Sequence, residues 1–308
     1  MTGIVRYLRQ FYFLAPRFIK DGVNSINNRQ SSTMTTYNFE TSEKYFQIKM
    51  LDGDRDGLAV MSMKHFKGVN SMGYSFMRQF FEAMEELRLQ DQIRVLVLRS
   101  EVPKIFSAGA DLKERLVMPL AKMYGFGNML RRAVTELQNL PMPTIAAIDG
   151  AALGGGLEIA LGCDMRIAAS NAKIGLVETS LAIFPGAGGT QRLPRLVGPS
   201  VAKELIFTAR RLNGWQALDK GIVNDCVDQN EAGDAAFHRC LELADEILPN
   251  GPIGVRMAKL AINNGLEVDI QTGMAFEAAY YARVIPTEDR MEGLRAFKEK
   301  RKPKFKGQ

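Results

Sequence analysis

The stretch from Pro143 to Asp164 constrains this chain more than any other. It reads Pro-Thr-Ile-Ala-Ala-Ile-Asp-Gly-Ala-Ala-Leu-Gly-Gly-Gly-Leu-Glu-Ile-Ala-Leu-Gly-Cys-Asp: a buried strand, a glycine turn, then a helix whose first turn holds Glu158. Three consecutive glycines, Gly154 to Gly156, are costly inside a helix, each by about 1 kcal/mol relative to alanine. At a helix start they make physical sense, because bare backbone approaches a ligand closely while unpaired N–H groups point at negative charge. The competing explanation is close packing of strand on helix. Nucleotide loops are excluded: Ile159 stands where a G-x-G-x-x-G motif needs its third glycine, and no Lys-Ser/Thr follows.

The surrounding pattern is α/β. Tyr45 to Met50 and Gly57 to Met63 read as two short strands around Leu51-Asp-Gly-Asp54, a turn signal. From Ser71 to Leu89, Met72, Phe76, Phe80, Met84 and Leu87 recur three or four apart with charges between them, the period of an amphipathic helix. Arg94 to Leu98 and Pro143 to Ile148 are buried-strand runs, separated by a helical stretch from Ala121 to Leu140. Strands alternating with helices imply parallel pairing through crossovers. Beyond Ala235 the pattern is helical throughout: Ala235 to Ile247, Pro252 to Asn264 and Ile270 to Val284.

Composition narrows the chemistry. A chain of 308 residues with 46% apolar and 24% charged residues buries a substantial core, which excludes a wholly disordered, collagenous or coiled-coil protein. No apolar run reaches membrane-spanning length. Cys163, Cys226 and Cys240 are an odd number at unrelated spacings, so neither a disulfide framework nor a zinc site is expected. With only His65 and His238 available, a multi-histidine metal site is excluded and the chemistry is expected to run on carboxylates.

The net charge of +6 sits at the ends. The tail from Leu294 to Gln308 holds seven cations against Glu299, a local balance equal to the whole excess, while residues 1–40 carry +3 and the body between leans acidic. A duplex-binding fold carries its positive charge on a folded face, so nucleic acid is not expected as the main ligand. Residues 1–40 are basic and rich in Asn, Ser and Thr, with Leu8, Phe11, Tyr12 and Phe18 near helical spacing. That is the composition of a mitochondrial presequence.

A second glycine corner lies in Phe106-Ser-Ala-Gly-Ala-Asp-Leu-Lys113, beyond the strand at Arg94 to Leu98. Strand-to-helix junctions of a parallel sheet open at its carboxyl edge, where ligands bind. The amides of Ala110 and Gly155 would there form an oxyanion hole, one such donor being worth about 3 kcal/mol of barrier. Glu178 follows Glu158 just before the loop Phe184 to Gly189. Two carboxylates beside an oxyanion hole can hold a water between them, one as base and the other as acid. A glycosidase also pairs carboxylates, but its aromatic platforms are poorly matched by a chain with one tryptophan, Trp215.

Ala108-Gly-Ala-Asp-Leu-Lys113, Gly150 with Leu153-Gly-Gly-Gly-Leu-Glu158, and Glu178 with Pro185-Gly-Ala-Gly-Gly-Thr-Gln-Arg192 resemble the enoyl-CoA hydratase (crotonase) family over about Tyr45 to Gln308. Ser107 to Arg115 and Ala296 to Arg301 resemble most its branch of mitochondrial methylglutaconyl-CoA hydratases and AU-RNA-binding proteins. The resemblance implies an α/β fold, a spiral of ββα units over residues 41–240, followed by a helical oligomerisation region with a basic tail over 241–308. It implies a homotrimer or a dimer of trimers, and a mitochondrial matrix location behind the presequence.

For the site, the resemblance places oxyanion amides on Ala110 and Gly155, a water-activating carboxylate on Glu158 and a proton donor on Glu178. Acyl-CoA contacts fall on Ala108 and on Ala110, Asp111, Leu112 and Lys113, with Lys300 reaching the nucleotide of a neighbouring subunit. The implied reaction is hydration of the C2–C3 double bond of a 2-enoyl-CoA, in fatty-acid β-oxidation or leucine degradation. No metal or other cofactor is implied, coenzyme A being part of the substrate. The alternatives are an isomerase or acyl-CoA hydrolase on the same scaffold, or an AU-rich RNA-binding protein with residual hydratase activity. The cationic helix of that RNA-binding relative matches Ser71 to Leu89, where Tyr74, Arg78 and Glu82 leave one cation of three.

Overall fold

The computed structural model describes residues 42–308; the expected leader lies outside the described residues. Strands β1 (Phe46–Met50) and β2 (Leu58–Met63) form an antiparallel hairpin, and the turn signal between them folds as a single 3-10 turn at Gly53–Arg55. Helix α1 (Tyr74–Arg88) follows, then β3 (Val95–Ser100), β4 (Ile105–Ser107), α2 (Leu112–Val117) and α3 (Leu120–Gln138). The next turn of chain repeats the order: β5 (Thr144–Ile148), β6 (Ala151–Leu153) and α4 (Gly155–Gly162). A third brings β7 (Met165–Ala169), β8 (Ile174–Gly175) and a 3-10 turn at Glu178–Leu181.

Each turn of this spiral gives one strand to each of two sheets. The larger has the order β1-β2-β3-β5-β7-β9, with β9 at Asp225–Val227, and is parallel from β2 onward. The smaller is the parallel trio β4-β6-β8. The sequence places the glycine corners at the edge of the main sheet; they belong instead to the small one. Its strands of two or three residues are too short to leave a hydrophobic period.

The central strands β2, β3, β5 and β7 are largely buried on both faces, which is why they read as mainly apolar runs. Val95 and Val97 face helix α8 (Ala235–Ile247) through Cys240, Leu241 and Ala244. Leu96 and Leu98 face the opposite way, into a core with Phe76, Phe80, Phe126 and Leu157. All three cysteines are buried and free. Between β8 and α8 lie α5 (Gly189–Val197), α6 (Pro199–Phe207) and α7 (Gly214–Asp219).

The C-terminal helices α9 (Pro252–Gly265), α10 (Ile270–Val284) and α11 (Glu288–Glu299) stand differently. Helix α10 has no buried residue, and Ile262, Leu266, Ile270, Met274, Tyr281 and Phe297 are exposed. The basic tail folds back on α11: Lys306 and Gly307 N–H donate to the buried Asp289, and Arg301 pairs with Glu292 at 2.6 Å. Among the described residues no helix is long and apolar enough to cross a membrane.

Helix α9 is pinned to the body by one buried ion pair. Lys259 Nζ lies 2.8 Å from Asp164 Oδ2 and donates to Met142 O at 2.8 Å, while the same carboxylate oxygen accepts from Thr144 N–H at 2.7 Å. Removing one partner leaves the other charge uncompensated. Lys259→Met is expected to cost about 3 kcal/mol, read as a lower urea midpoint; an unchanged midpoint would contradict the pinning.

Candidate active site

The small sheet explains how distant residues meet. Ala110 follows β4, Gly155 follows β6 and Glu178 follows β8, so three parallel strands deliver three successive segments side by side at their carboxyl ends. Gly109 has φ +87°, and a Cβ built on it would lie 2.7 Å from Leu153 O and 3.1 Å from Gly155 N. The two glycine corners are therefore in van der Waals contact. A Cβ on Gly156 would overlap the Ser107 carbonyl, so close packing, the competing explanation for the glycine run, holds for that residue.

Both expected amides are left without a backbone partner by the local geometry. Gly155 opens α4, so its N–H is one of the four with no intrahelical acceptor. Met72 pairs with the other corner through a single parallel bridge in which Met72 N–H donates to Gly109 O and Asp111 N–H donates to Met72 O, bypassing Ala110 N–H. The sequence puts Met72 on the apolar stripe of α1. It lies before that helix instead, and its methyl group occupies the place a Cβ on Gly155 would take.

Glu158 is 3% exposed, in the first turn of α4. Its Oε1 accepts from Ala187 N–H at 2.8 Å and from Gly189 N–H at 2.7 Å. Burial raises its pKa, opposed by those two amides and by the positive charges of Arg192 and Arg115. The sequence singles out the glycine-rich loop at 184–189 as a motif without assigning it this work. Arg192 in turn is held by Gln138 Oε1, at 2.9 Å from Nε and 2.7 Å from Nη2.

Glu178 is less secured. A Cβ on Gly154 would stand 3.2 Å from its Oε1, and its Oε2 is buried with no hydrogen-bond partner. Burial first, and the negative charge of Glu158 second, push its pKa up to about 7. One carboxylate is braced by amides and cations and the other is not, so a proton shared by the pair resides on Glu178. Two acids of split affinity flank one glycine peptide.

Residues 53–308 match the enoyl-CoA hydratase/isomerase family. The chain belongs to that family. It is 51% identical over 267 residues to a human protein named methylglutaconyl-CoA hydratase, mitochondrial, covering 87% of this chain and 79% of that one. To a mouse protein named enoyl-CoA hydratase domain-containing protein 2, mitochondrial, it is 54% identical over 261 residues, covering 85% and 88%. The crystal structure of an enoyl-CoA hydratase from Bacillus anthracis superposes with a TM-score of 0.81 at 42% identity, covering 86% of this chain and all of the other. The α/β crotonase fold expected from the sequence is thereby established.

The remaining residues that the crotonase resemblance singles out divide. Ala108 is exposed at the mouth of the first corner, and Leu112 and Lys113 are exposed on α2. Asp111 has a structural task for its side chain: Oδ1 accepts from Lys113 and Glu114 N–H at 3.0 Å each, capping α2. Lys300 is not brought to this cluster within the chain. It is the exposed left-handed cap of α11, and no hydrogen bond or ion pair of the described residues joins it to residues 108–113.

Proposed function

We propose that this crotonase-family chain is a hydratase that adds water across the C2–C3 double bond of 2-enoyl-CoA thioesters. The observation that carries the reading is the pair of unlike carboxylates, Glu158 and Glu178, on either side of the Gly154–Gly155 peptide. The thioester oxygen rests between the N–H groups of Ala110 and Gly155, which stabilise the negative charge it gains as water attacks C3. Glu158 takes the proton from that water. Glu178 gives its proton to C2, collapsing the enolate.

The segment at Ala108 and residues 110–113, exposed at Ala108, Leu112 and Lys113, receives the coenzyme A portion, and Lys300 serves a neighbouring subunit's site. The apolar residues exposed on α9 to α11 are the surface of a homotrimer or a dimer of trimers. The names of the relatives favour hydration over isomerisation or thioester hydrolysis and favour a mitochondrial protein, here placed in the matrix, in fatty-acid β-oxidation or leucine degradation. The test is loss of enoyl-thioester absorbance from crotonyl-CoA with formation of 3-hydroxybutyryl-CoA; release of free coenzyme A without hydration would point to the hydrolase.

A pH profile follows from the unbraced acid. Glu178 must be protonated to act, and its pKa is near 7, so kcat/KM is expected to be level on the acid side of neutrality and to fall about tenfold per pH unit above it. A profile flat to pH 9 would remove Glu178 from the proton-transfer step.

A further inference from the structure

We propose that the buried side chain of Asn70 is a positioning residue for the oxyanion hole, fixing the amide of Ala110 through Ser107 and Met72. The inference rests on the hydratase reading above. Residues 64–73 form the connection between β2 and α1 and belong to neither sheet. Such a segment has no ladder of its own, so its polar groups must be satisfied one by one. Asn70 supplies the anchor. Its side chain is fully buried; Oδ1 accepts from His65 N–H at 2.9 Å, while Nδ2 donates to Ser100 Oγ at 2.8 Å and to Phe106 O at 2.9 Å. One amide thus joins the loop to the end of β3 and to β4.

The neighbours dictate this residue type. An N–H faces one end of the amide and a carbonyl the other, so aspartate would set an oxygen against Phe106 O. The backbone at Asn70 has φ +53°, the left-handed region that asparagine adopts more readily than most side chains.

From this anchor two arms reach the first glycine corner. Ser107 Oγ, also buried, donates to Asn70 O at 2.8 Å and accepts from Gly109 N–H at 3.2 Å. Met72, two residues beyond Asn70, donates through its N–H to Gly109 O at 2.8 Å and accepts from Asp111 N–H at 3.3 Å. The two neighbours of Ala110 are therefore held, and its own N–H keeps a fixed direction without being engaged. Ser107 also abuts the second corner, where a Cβ on Gly156 would stand 2.3 Å from Ser107 O. The same brace sets the spacing of both amides, and a misplacement of about 1 Å there can cost about 100-fold in rate.

The experiment measures kcat and KM for crotonyl-CoA in the wild type, Ser107→Ala, Ser107→Cys, Asn70→Gly and Gly53→Ala. It also follows the absorbance of bound 4-dimethylaminocinnamoyl-CoA, whose band moves to longer wavelength as hydrogen bonds polarise the thioester carbonyl. Asn70→Gly keeps the left-handed backbone and removes only the amide. In Ser107→Ala and Asn70→Gly, kcat is expected to fall about 30-fold with KM changed less than about threefold, and the red shift to shrink by about half. Ser107→Cys, which retains a weak donor and acceptor, should lie only about fivefold below wild type in kcat. Gly53→Ala has a backbone cost away from the site and should leave the band unmoved, as would any loss of stability alone.

A kcat within about threefold of wild type in either Ser107→Ala or Asn70→Gly overturns the proposal, and so does an unchanged red shift in either or an equal change in Gly53→Ala. Amide hydrogen exchange of the unmodified enzyme decides the matter if the variants do not fold. Residues 105–109 should be as protected in the free protein as with butyryl-CoA bound; a gain of more than about threefold on binding would show that the ligand, and not the brace, orders the corner. A wild type that shifts the band without hydrating crotonyl-CoA refutes the hydratase reading and leaves the brace standing. A wild type that does not shift the band has no oxyanion hole to position, which overturns this proposal.

Discussion

Glu158→Gln and Glu178→Gln are each expected to lower kcat for crotonyl-CoA by about 10³-fold, the range of a lost general base or acid, with the fold intact. The two variants should differ in stability. Glu178 has a pKa near 7 in the folded protein against 4.5 when free, so the native state binds the extra proton and stability declines as pH rises between those values. Glutamine at 178 removes a buried carboxylate whose Oε2 has no partner, and the variant should resist urea at pH 8 at least as well as wild type. Glutamine at 158 gains no such relief, because the amides of Ala187 and Gly189 favour an anion there. Near-normal turnover in either variant, checked alongside urea midpoints, would remove that acid from the mechanism.

Gly109→Ala should also damage catalysis, although it removes none of the proposed catalytic groups. Position 109 has φ +87°, where a side chain is strained, and the added methyl would press on Leu153 O at 2.7 Å and Gly155 N at 3.1 Å. The relief available is separation of the two corners, which moves the amides of Ala110 and Gly155 off a shared oxygen. We expect kcat to fall by about 100-fold or more and stability by about 2 kcal/mol. Gly53→Ala is the matched control: φ is +68° there, but nothing lies within 4 Å of the added methyl, so it carries the backbone cost and should leave kcat unchanged. Equal kcat effects at 53 and 109 would show that contact between the corners is irrelevant to catalysis.

What could be read from the sequence follows from length and periodicity. Ala235–Ile247 and Ile270–Val284 fold with the boundaries expected of them, since each runs to several turns with a clear stop. The runs at Val95 and Thr144 are buried strands because crossover helices cover both faces of a parallel sheet. The trio β4, β6 and β8 escaped detection, being two or three residues each, and so did the reason the corners meet. Glu158 and Glu178 stood out because each lies beside a glycine turn of a motif resembling the crotonase family. The loop amides that brace Glu158 did not, because a backbone donor has no side-chain signature.

The most direct test of the site is a crystal structure of Glu158→Gln with crotonyl-CoA bound. The thioester oxygen should lie about 3 Å from the nitrogens of both Ala110 and Gly155, with C2 facing the Glu178 carboxyl group and C3 facing residue 158. A carbonyl bound away from either amide, or a double bond turned from both acids, would contradict the account.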